Sequence, residues 1–222
     1  MSCPQCNGIE TTFNHKSALK ELKNYHKKGP NKSTRFLINY LVSKGIEDKT
    51  LLDIGGGVGA IQHELIKNGL ASVVSVEASK AYSEASKDEA KHQGHADKIN
   101  YFHGDFVDLS PEIPMTDVVT LDRVICCYVN MEKLVNSSLN HARDYYAVIY
   151  PHDKWWMKLG ITVGNFLQWL KRSKYRGFIH SKKEFHRVVE AHNFKRCFFQ
   201  KTMFWRIEIF QRMQKINDQP NS

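Results

Sequence analysis

The sequence predicts an α/β protein: a doubly wound, mostly parallel sheet of about seven strands, closed by a C-terminal antiparallel hairpin and preceded by a helical N-terminal segment. Three observations carry this. Residues Thr50–Ala60 (TLLDIGGGVGA) read as a short apolar strand that ends in a glycine turn and runs into a helix. Further β-rich runs at 72–77, 99–103, 117–124 and 145–150 alternate with helical stretches, the pattern of parallel strands joined by crossovers. Two last β-rich runs, 194–201 and 203–212, are joined by a short turn at Lys201-Thr202 and have no room for a helix between them.

At 222 residues the chain fits one medium domain with a full core. Its net charge of +9 invites nucleic acid, an anionic membrane surface or an acidic substrate, although the Lys and Arg are scattered along the chain. Met1-Ser2-Cys3-Pro4 lacks the basic-then-apolar pattern of a signal peptide, and no apolar run approaches the roughly 20 residues of a membrane span. Five irregularly spaced cysteines argue against a secreted disulfide framework and for a reducing compartment, so a cytoplasmic location is expected.

Cys3-Pro4-Gln5-Cys6 forms a C-x-x-C, but a zinc site needs about four ligands and His15 is the nearest further candidate. A disordered tip with two solvated thiols is expected, with metal or redox use of Cys3 and Cys6 as the alternative. Ala18, Leu19, Leu22 and Tyr25 mark a first helix, ended by Lys27-Lys28-Gly29-Pro30. Ser33 or Thr34 is expected to cap a second, through Phe36, Leu37, Tyr40 and Leu41 to Gly45.

The glycine turn carries the chemistry. Gly55, Gly57 and Ala60 satisfy the loose G-x-G-x-x-G/A dinucleotide pattern, a weak signal by itself. Gly55, Gly56, Gly57 and Gly59 together supply the backbone freedom that close approach to a ligand requires. Asp53, two residues before the first glycine, would bring a carboxylate to the strand's carboxyl end, where it suits a cationic ligand. The helix from Val58 to about Asn68 buries Ile61, Leu65 and Ile66, and Gly69 stops it. Asp53-x-Gly55-x-Gly57-x-Gly59 resembles motif I of the class I, Rossmann-like S-adenosylmethionine (SAM) methyltransferases. The resemblance implies SAM as cofactor, S-adenosylhomocysteine (SAH) as product, and a lid made by the segment before the first strand. By that reasoning Tyr25–Pro30 faces substrate, with Tyr25 and Lys28 as contacts.

The next strand ends in Glu77, near the roughly 20-residue offset at which an acid meets ribose hydroxyls, with Ala78 beside it. A carboxylate accepts hydrogen bonds from both hydroxyls of a diol. Lys80–Gln93 reads as a helix that covers the sheet, broken at Gly94. After the strand at 99–103 come Gly104, Asp105 and Phe106. The resemblance implies that Asp105 accepts from the adenine amino group and that Phe106 packs on the ring. Strand 117–124 holds the motif IV position, which places Leu121 and Asp122 by the cofactor and Arg123 by the acceptor. The Asn-Pro-Pro-Tyr or Asp-Pro-Pro-Tyr of nucleic-acid amino-methyltransferases is absent, and so is the metal-binding Asp…Asp-Asn set of catechol-type enzymes.

Cys126 and Cys127 read as small buried groups. A general base is needed only where the nucleophile arrives protonated. Asp122, Tyr128 and His152 are the candidates, His152 because it follows the strand at 145–150 on the ligand edge and titrates near neutrality. Between Trp155 and Arg172, Trp155, Leu159, Val163, Phe166, Leu167 and Leu170 share a helical face. Three roles compete for it: a roof over the substrate pocket, a dimer face, or an in-plane membrane helix giving peripheral membrane contact through 155–172. The roof is preferred, which makes Trp155 a substrate contact. Tyr175–His180 is a linker that offers pocket residues, Ser181-Lys182-Lys183-Glu184 a capping box, and the residues from Gln214 a polar tail.

The expected organisation is an N-terminal tip and lid over 1–48, a methyltransferase core over 49–213 with a helical insertion at 154–176, and a tail at 214–222. The expected activity is SAM-dependent methyl transfer to an O, N or S atom of a small molecule, by a monomer or homodimer. A narrower likeness is to small-molecule O-methyltransferases of the magnesium-protoporphyrin type. An RNA-modifying methyltransferase is the alternative that the net charge favours and the motif IV residues disfavour. A non-catalytic SAM-binding or membrane-associated module and a nicotinamide dehydrogenase are the others.

Overall fold

The computed structural model describes residues 4–214, side chains from Gly8 onward. Three helices, α1 (Pro4–Thr12), α2 (His15–Lys28) and α3 (Lys32–Ser43), precede β1 (Thr50–Ile54). Then follow α4 (Ala60–Lys67), β2 (Ser72–Glu77), α5 (Lys80–His92), β3 (Ile99–His103), the single-turn α6 (Phe106–Leu109), β4 (Thr116–Asp122), α7 (Met131–Asn140) and β5 (Ala142–Pro151). The chain closes with α8 (Trp155–Leu170), α9 (Lys182–Ala191), β6 (Phe194–Lys201) and β7 (Trp205–Arg212). Most helices begin where an Asn, Ser or Asp side chain accepts a backbone N–H of the first turn: Asn14, Ser79, Asp105, Asn130 and Ser181 do so for α2, α5, α6, α7 and α9. The cap of α3 is Asn31, whose side chain accepts from Thr34 N, so Ser33 and Thr34 lie inside the first turn and are not the caps. The expected disordered tip is likewise corrected, since a helix begins at Pro4. Cys3 and the side chain of Cys6 lie outside the described residues, and with them the metal assignment.

The seven strands form one sheet in the order β3-β2-β1-β4-β5-β7-β6. β1 to β5 run parallel, and the β6–β7 hairpin adds antiparallel to β5. The strand order reverses between β1 and β4, which opens a crevice at the carboxyl ends of the strands. Side-chain alternation sends Leu52, Ile54, Val119, Leu121, Tyr146 and Val148 to one face, under α7 and α9. Leu51, Val73, Val118, Ala147, Ile149 and Ile207 go to the other, under α3 and α4. Leu37, Ile38 and Leu41 of α3 are part of that second core, so this stretch of the N-terminal segment is built into the domain. No helix among the described residues is long and apolar enough to cross a membrane.

The helical insertion departs from the expected roof. α8 has no buried residue, and its apolar face points outward, with Trp155 76% and Leu159 57% exposed. Its inner face makes only a shallow contact, in which Asn165 exchanges two hydrogen bonds of 2.8 Å with the backbone of Gly177.

Candidate active site

A cavity of about 350 Å³ lies at the carboxyl edge of the sheet. Its floor is built from the residues that follow each parallel strand: Ile54–Gly57 after β1, Val76–Ala78 at the end of β2, Gly104–Phe106 after β3 and Asp122–Val124 after β4. The crossover topology alone brings these four segments together, which is why pieces 20 to 70 residues apart in sequence meet in one place.

The turn after β1 uses its glycines for distinct reasons. Gly55, Gly57 and Gly59 sit at φ of 63°, 60° and 84°, a region that residues with a Cβ rarely enter. A Cβ on Gly57 would reach 3.2 Å from Glu21 Oε1 and 3.8 Å from the Tyr82 ring, both of which line the cavity. A side chain on Gly57 would therefore project toward Glu21 and Tyr82 at the cavity wall. Gly56 needs its bareness inward, because a Cβ there would fall 2.3 Å from Asp53 Oδ2. Gly59 is the left-handed cap of α4 and lies behind the cavity wall.

Glu77 is the central acid. Its carboxylate accepts from Gly57 N at 3.2 Å and from Ser79 N at 2.9 Å, which ties the end of β2 to the glycine turn. Burial pushes its pKa up to about 7, against the pull of those two N–H bonds. Asp105, which follows the neighbouring strand β3, also lines the cavity. Asp105 accepts from Val107 N at 2.9 Å, and Tyr128 Oη donates to both of its carboxylate oxygens at 3.0 Å. Phe106 and Ala78 complete the apolar lining between the two acids.

At the β4 end, Arg123 takes φ +64°, a costly conformation for a side chain this bulky. The turn aims its guanidinium back at Asp122, with Nε 2.9 Å from Oδ1, and lays it 5.4 Å from the Trp205 ring. Thr34 Oγ1 donates to the second Asp122 oxygen, so α3 also holds this carboxylate. Cys127 Sγ lies 3.0 Å from Tyr175 Oη, which brings the linker after α8 to the cavity.

The structure thus gathers Gly55, Gly56, Gly57, Glu77, Ala78, Gly104, Asp105, Phe106, Asp122, Arg123 and Tyr128 around one cavity. It sends the other named residues elsewhere. Asp53 is fully buried on the α4 side of the sheet, where it accepts from Gln62 Nε2 at 2.9 Å and Thr120 Oγ1 at 2.6 Å. Burial raises its pKa to about 6 despite those bonds. It supports the turn from below and offers no face to a cationic ligand. Leu121 is core, one residue short of the cavity. Tyr25 is buried against α4 and α5 with its hydroxyl on Glu64 at 2.8 Å, and Lys28 ends α2 on the surface. Neither lines the cavity: both share the helical face of Glu21 but lie one and two turns further along α2, beyond the cavity. His152 is also excluded: its ring Nε2 is 3.0 Å from the Thr202 carbonyl, under the β6–β7 turn. Trp155 stands in solvent on the outer face of α8.

Several lining residues carried no sequence signal. Phe13, Glu21, Thr34 and Trp205 reach the cavity from segments with no motif, whereas Tyr175 comes from the linker expected to offer pocket residues. Cys126 and Cys127 read as filler, yet both line it, although Cys126 is buried as expected.

Residues 52–143 match the family profile described as a methyltransferase domain. Protein arginine N-methyltransferase 1.1 of Arabidopsis thaliana is 27% identical over 118 residues, which is 53% of this chain and 27% of the relative. The aligned region therefore spans only about a quarter of that protein's length. Among solved structures, magnesium protoporphyrin IX methyltransferase from Synechocystis PCC 6803, with bound SAH, superposes with a TM-score of 0.73 at 14% identity, covering 92% of this chain and 98% of that one. An O-methyltransferase family protein from Burkholderia thailandensis gives a TM-score of 0.68 at 11% identity, over 93% and 63%. At these identities the structural likeness speaks for the fold. Residues 52–143 thus resemble a methyltransferase domain, and the chain shares the fold of the Synechocystis methyltransferase solved with bound SAH and with bound SAM.

Proposed function

We propose that this protein transfers the methyl group of SAM to an O, N or S atom of a small molecule held between Arg123, Tyr175 and Trp205. The observation that carries the reading is the Gly57–Glu77 pair: a backbone kept bare toward the cavity, beside a carboxylate that faces it. Glu77 would accept the ribose hydroxyls, Asp105 the adenine amino group with Phe106 against the ring, and the glycine turn would carry the amino-acid arm. When bound, SAM supplies an activated sulfonium methyl for in-line displacement.

What the chain's own residues add is alignment and exclusion of water. Asp122 is fixed by Thr34 and Arg123, so it can orient an acceptor's hydroxyl or amine toward the methyl. Tyr128 is committed to Asp105 and shapes the adenine end. His152 faces away and Tyr128 is bonded to Asp105, which favours Asp122 among the three candidates for general base. A small acceptor fits the acceptor end, whose walls are aromatic and enclosed by helices from the N-terminal segment. The net charge of +9 favours a second reading, methylation of RNA.

The test incubates the protein with methyl-labelled SAM and a cell extract split into small-molecule, RNA and protein fractions. Label in the small-molecule fraction supports the reading. Label confined to RNA or protein replaces it, and no SAM-dependent turnover in any fraction removes catalysis.

A further inference from the structure

The outer face of α8 lacks a partner. Trp155, Leu159, Val163, Phe166, Leu167 and Leu170 are each half or more exposed, and they fall within an arc of roughly 120° of the helix at about 100° per residue. Phe166 and Trp169 stack at 5.8 Å between ring centroids. The face continues onto the β6–β7 turn: Met203 is 72% exposed, and Phe204 meets Trp156 edge to face at 6.0 Å. A patch of this kind is costly to leave in water, and its rim shows what covers it.

That rim is mostly basic, with the exposed acids Asp153 and Glu184 just beyond its two ends. From Lys154 to Lys183 the chain has eight Lys and Arg and no Asp or Glu. Lys154 and Lys158 flank one end of the helix, and Lys171, Arg172 and Lys174 the other, all of them exposed. A two-fold pairing of two copies through this face would bring basic rim against basic rim with no acid in the segment to answer it. An anionic lipid surface matches both features: headgroups pair with the rim, while Trp and aliphatic side chains settle at the headgroup–acyl boundary. The helix has 16 residues, and its charges sit at its ends and flanks, so it would lie along the surface and not across the bilayer.

We propose that the outer face of α8, together with the β6–β7 turn, docks the protein on an anionic lipid bilayer, with the helix in the plane of the headgroups. The docking face adjoins the cavity, because Trp205 begins the strand after the Met203–Phe204 turn and Tyr175 lies in the segment after α8, and both line the site. This binding is independent of methyl transfer and is tested without it.

The full chain is mixed with vesicles of phosphatidylcholine alone or with added phosphatidylserine, and binding is read by sedimentation and by tryptophan emission. Three of the four tryptophans lie on α8, so docking moves the emission to shorter wavelength. The expected result is binding to the phosphatidylserine vesicles, weakened by salt, and lost by at least about tenfold in Leu159→Glu/Phe166→Glu. Leu19→Glu, which changes an exposed leucine on α2, is expected to bind as the unchanged protein does. Circular dichroism of each variant confirms that it is folded, since both altered α8 side chains point into solvent. The proposal is overturned if the unchanged protein ignores phosphatidylserine vesicles, or if Leu19→Glu loses binding as fully as the α8 variant. It is also overturned if the unchanged protein is a dimer that the α8 double variant splits while vesicles stay unbound.

Discussion

Raising the pH should tighten SAM binding through Glu77. Burial sets the pKa of this carboxyl at about 7, well above an ordinary glutamate. Ribose hydroxyls donate to the carboxylate, so they bind its ionised form and draw its pKa down. The ionised fraction rises from about one-tenth at pH ~6 to about nine-tenths at pH ~8, which gives a gain in affinity of about ninefold, or ~1.3 kcal/mol. Near pH ~7 about half a proton should leave per ligand bound, visible as a dependence of the calorimetric heat on buffer ionisation. Glu77→Gln keeps the size but cannot titrate, and it turns an amide against one of the two N–H donors, Gly57 or Ser79. It should bind more weakly by about 1–3 kcal/mol and lose the pH dependence. The ligand's own amine titrates equally in both proteins, so the ratio of the two affinities isolates Glu77. Parallel pH profiles for the two proteins, or an affinity that falls as the pH rises, would refute the assignment.

Other outcomes follow from the same geometry. Gly57→Val should abolish calorimetric SAM binding, because the branched side chain enters the space beside Glu21 and Tyr82 at φ +60°, while circular dichroism shows the fold kept. Tyr128→Phe removes the hydroxyl from Asp105, so it should raise KM for SAM severalfold and leave the pH profile of kcat unchanged; a collapse of kcat would restore Tyr128 as a base. His152→Gln should leave kcat and its pH dependence as they are, since the ring faces Thr202 and not the cavity. Glu208 is buried between His186 and Arg206: burial works to raise its pKa, but their hydrogen bonds hold it below the ordinary range. Its stabilisation is present above the unfolded glutamate pKa of about 4.3 and is lost as pH falls through the lower folded value. Glu208→Ala, which leaves the largely buried Arg206 guanidinium without its carboxylate, should lower the unfolding free energy by about 3–5 kcal/mol in a urea titration near neutrality.

The parts of the site legible in the sequence are those set by backbone requirements and strand register. Gly55 and Gly57 sit at positive φ and Glu77 ends β2, so turn chemistry and spacing locate them, while Asp105, two residues past β3, is picked out by the resemblance. Side chains whose direction depends on a distant partner were not legible. Asp53 looks like a ligand group until Gln62 and Thr120, 9 and 67 residues away, close over it. The same holds for Tyr25, which finds Glu64 39 residues on, and for His152, which finds the Thr202 carbonyl 50 residues on. The apolar face of α8 was plain from its periodicity, but periodicity says only that a face is apolar, not which way it points. Trp205 reaches the cavity because the hairpin folds back, a tertiary event that no local pattern announces.

The most direct test is a crystal structure of the protein soaked with SAH. The account predicts a nucleoside against the Gly55–Gly57 turn, with ribose hydroxyls about 2.6–3.2 Å from the Glu77 carboxylate and the adenine between Asp105 and Phe106. SAH bound away from Glu77, or with its ribose turned from that carboxylate, would contradict it.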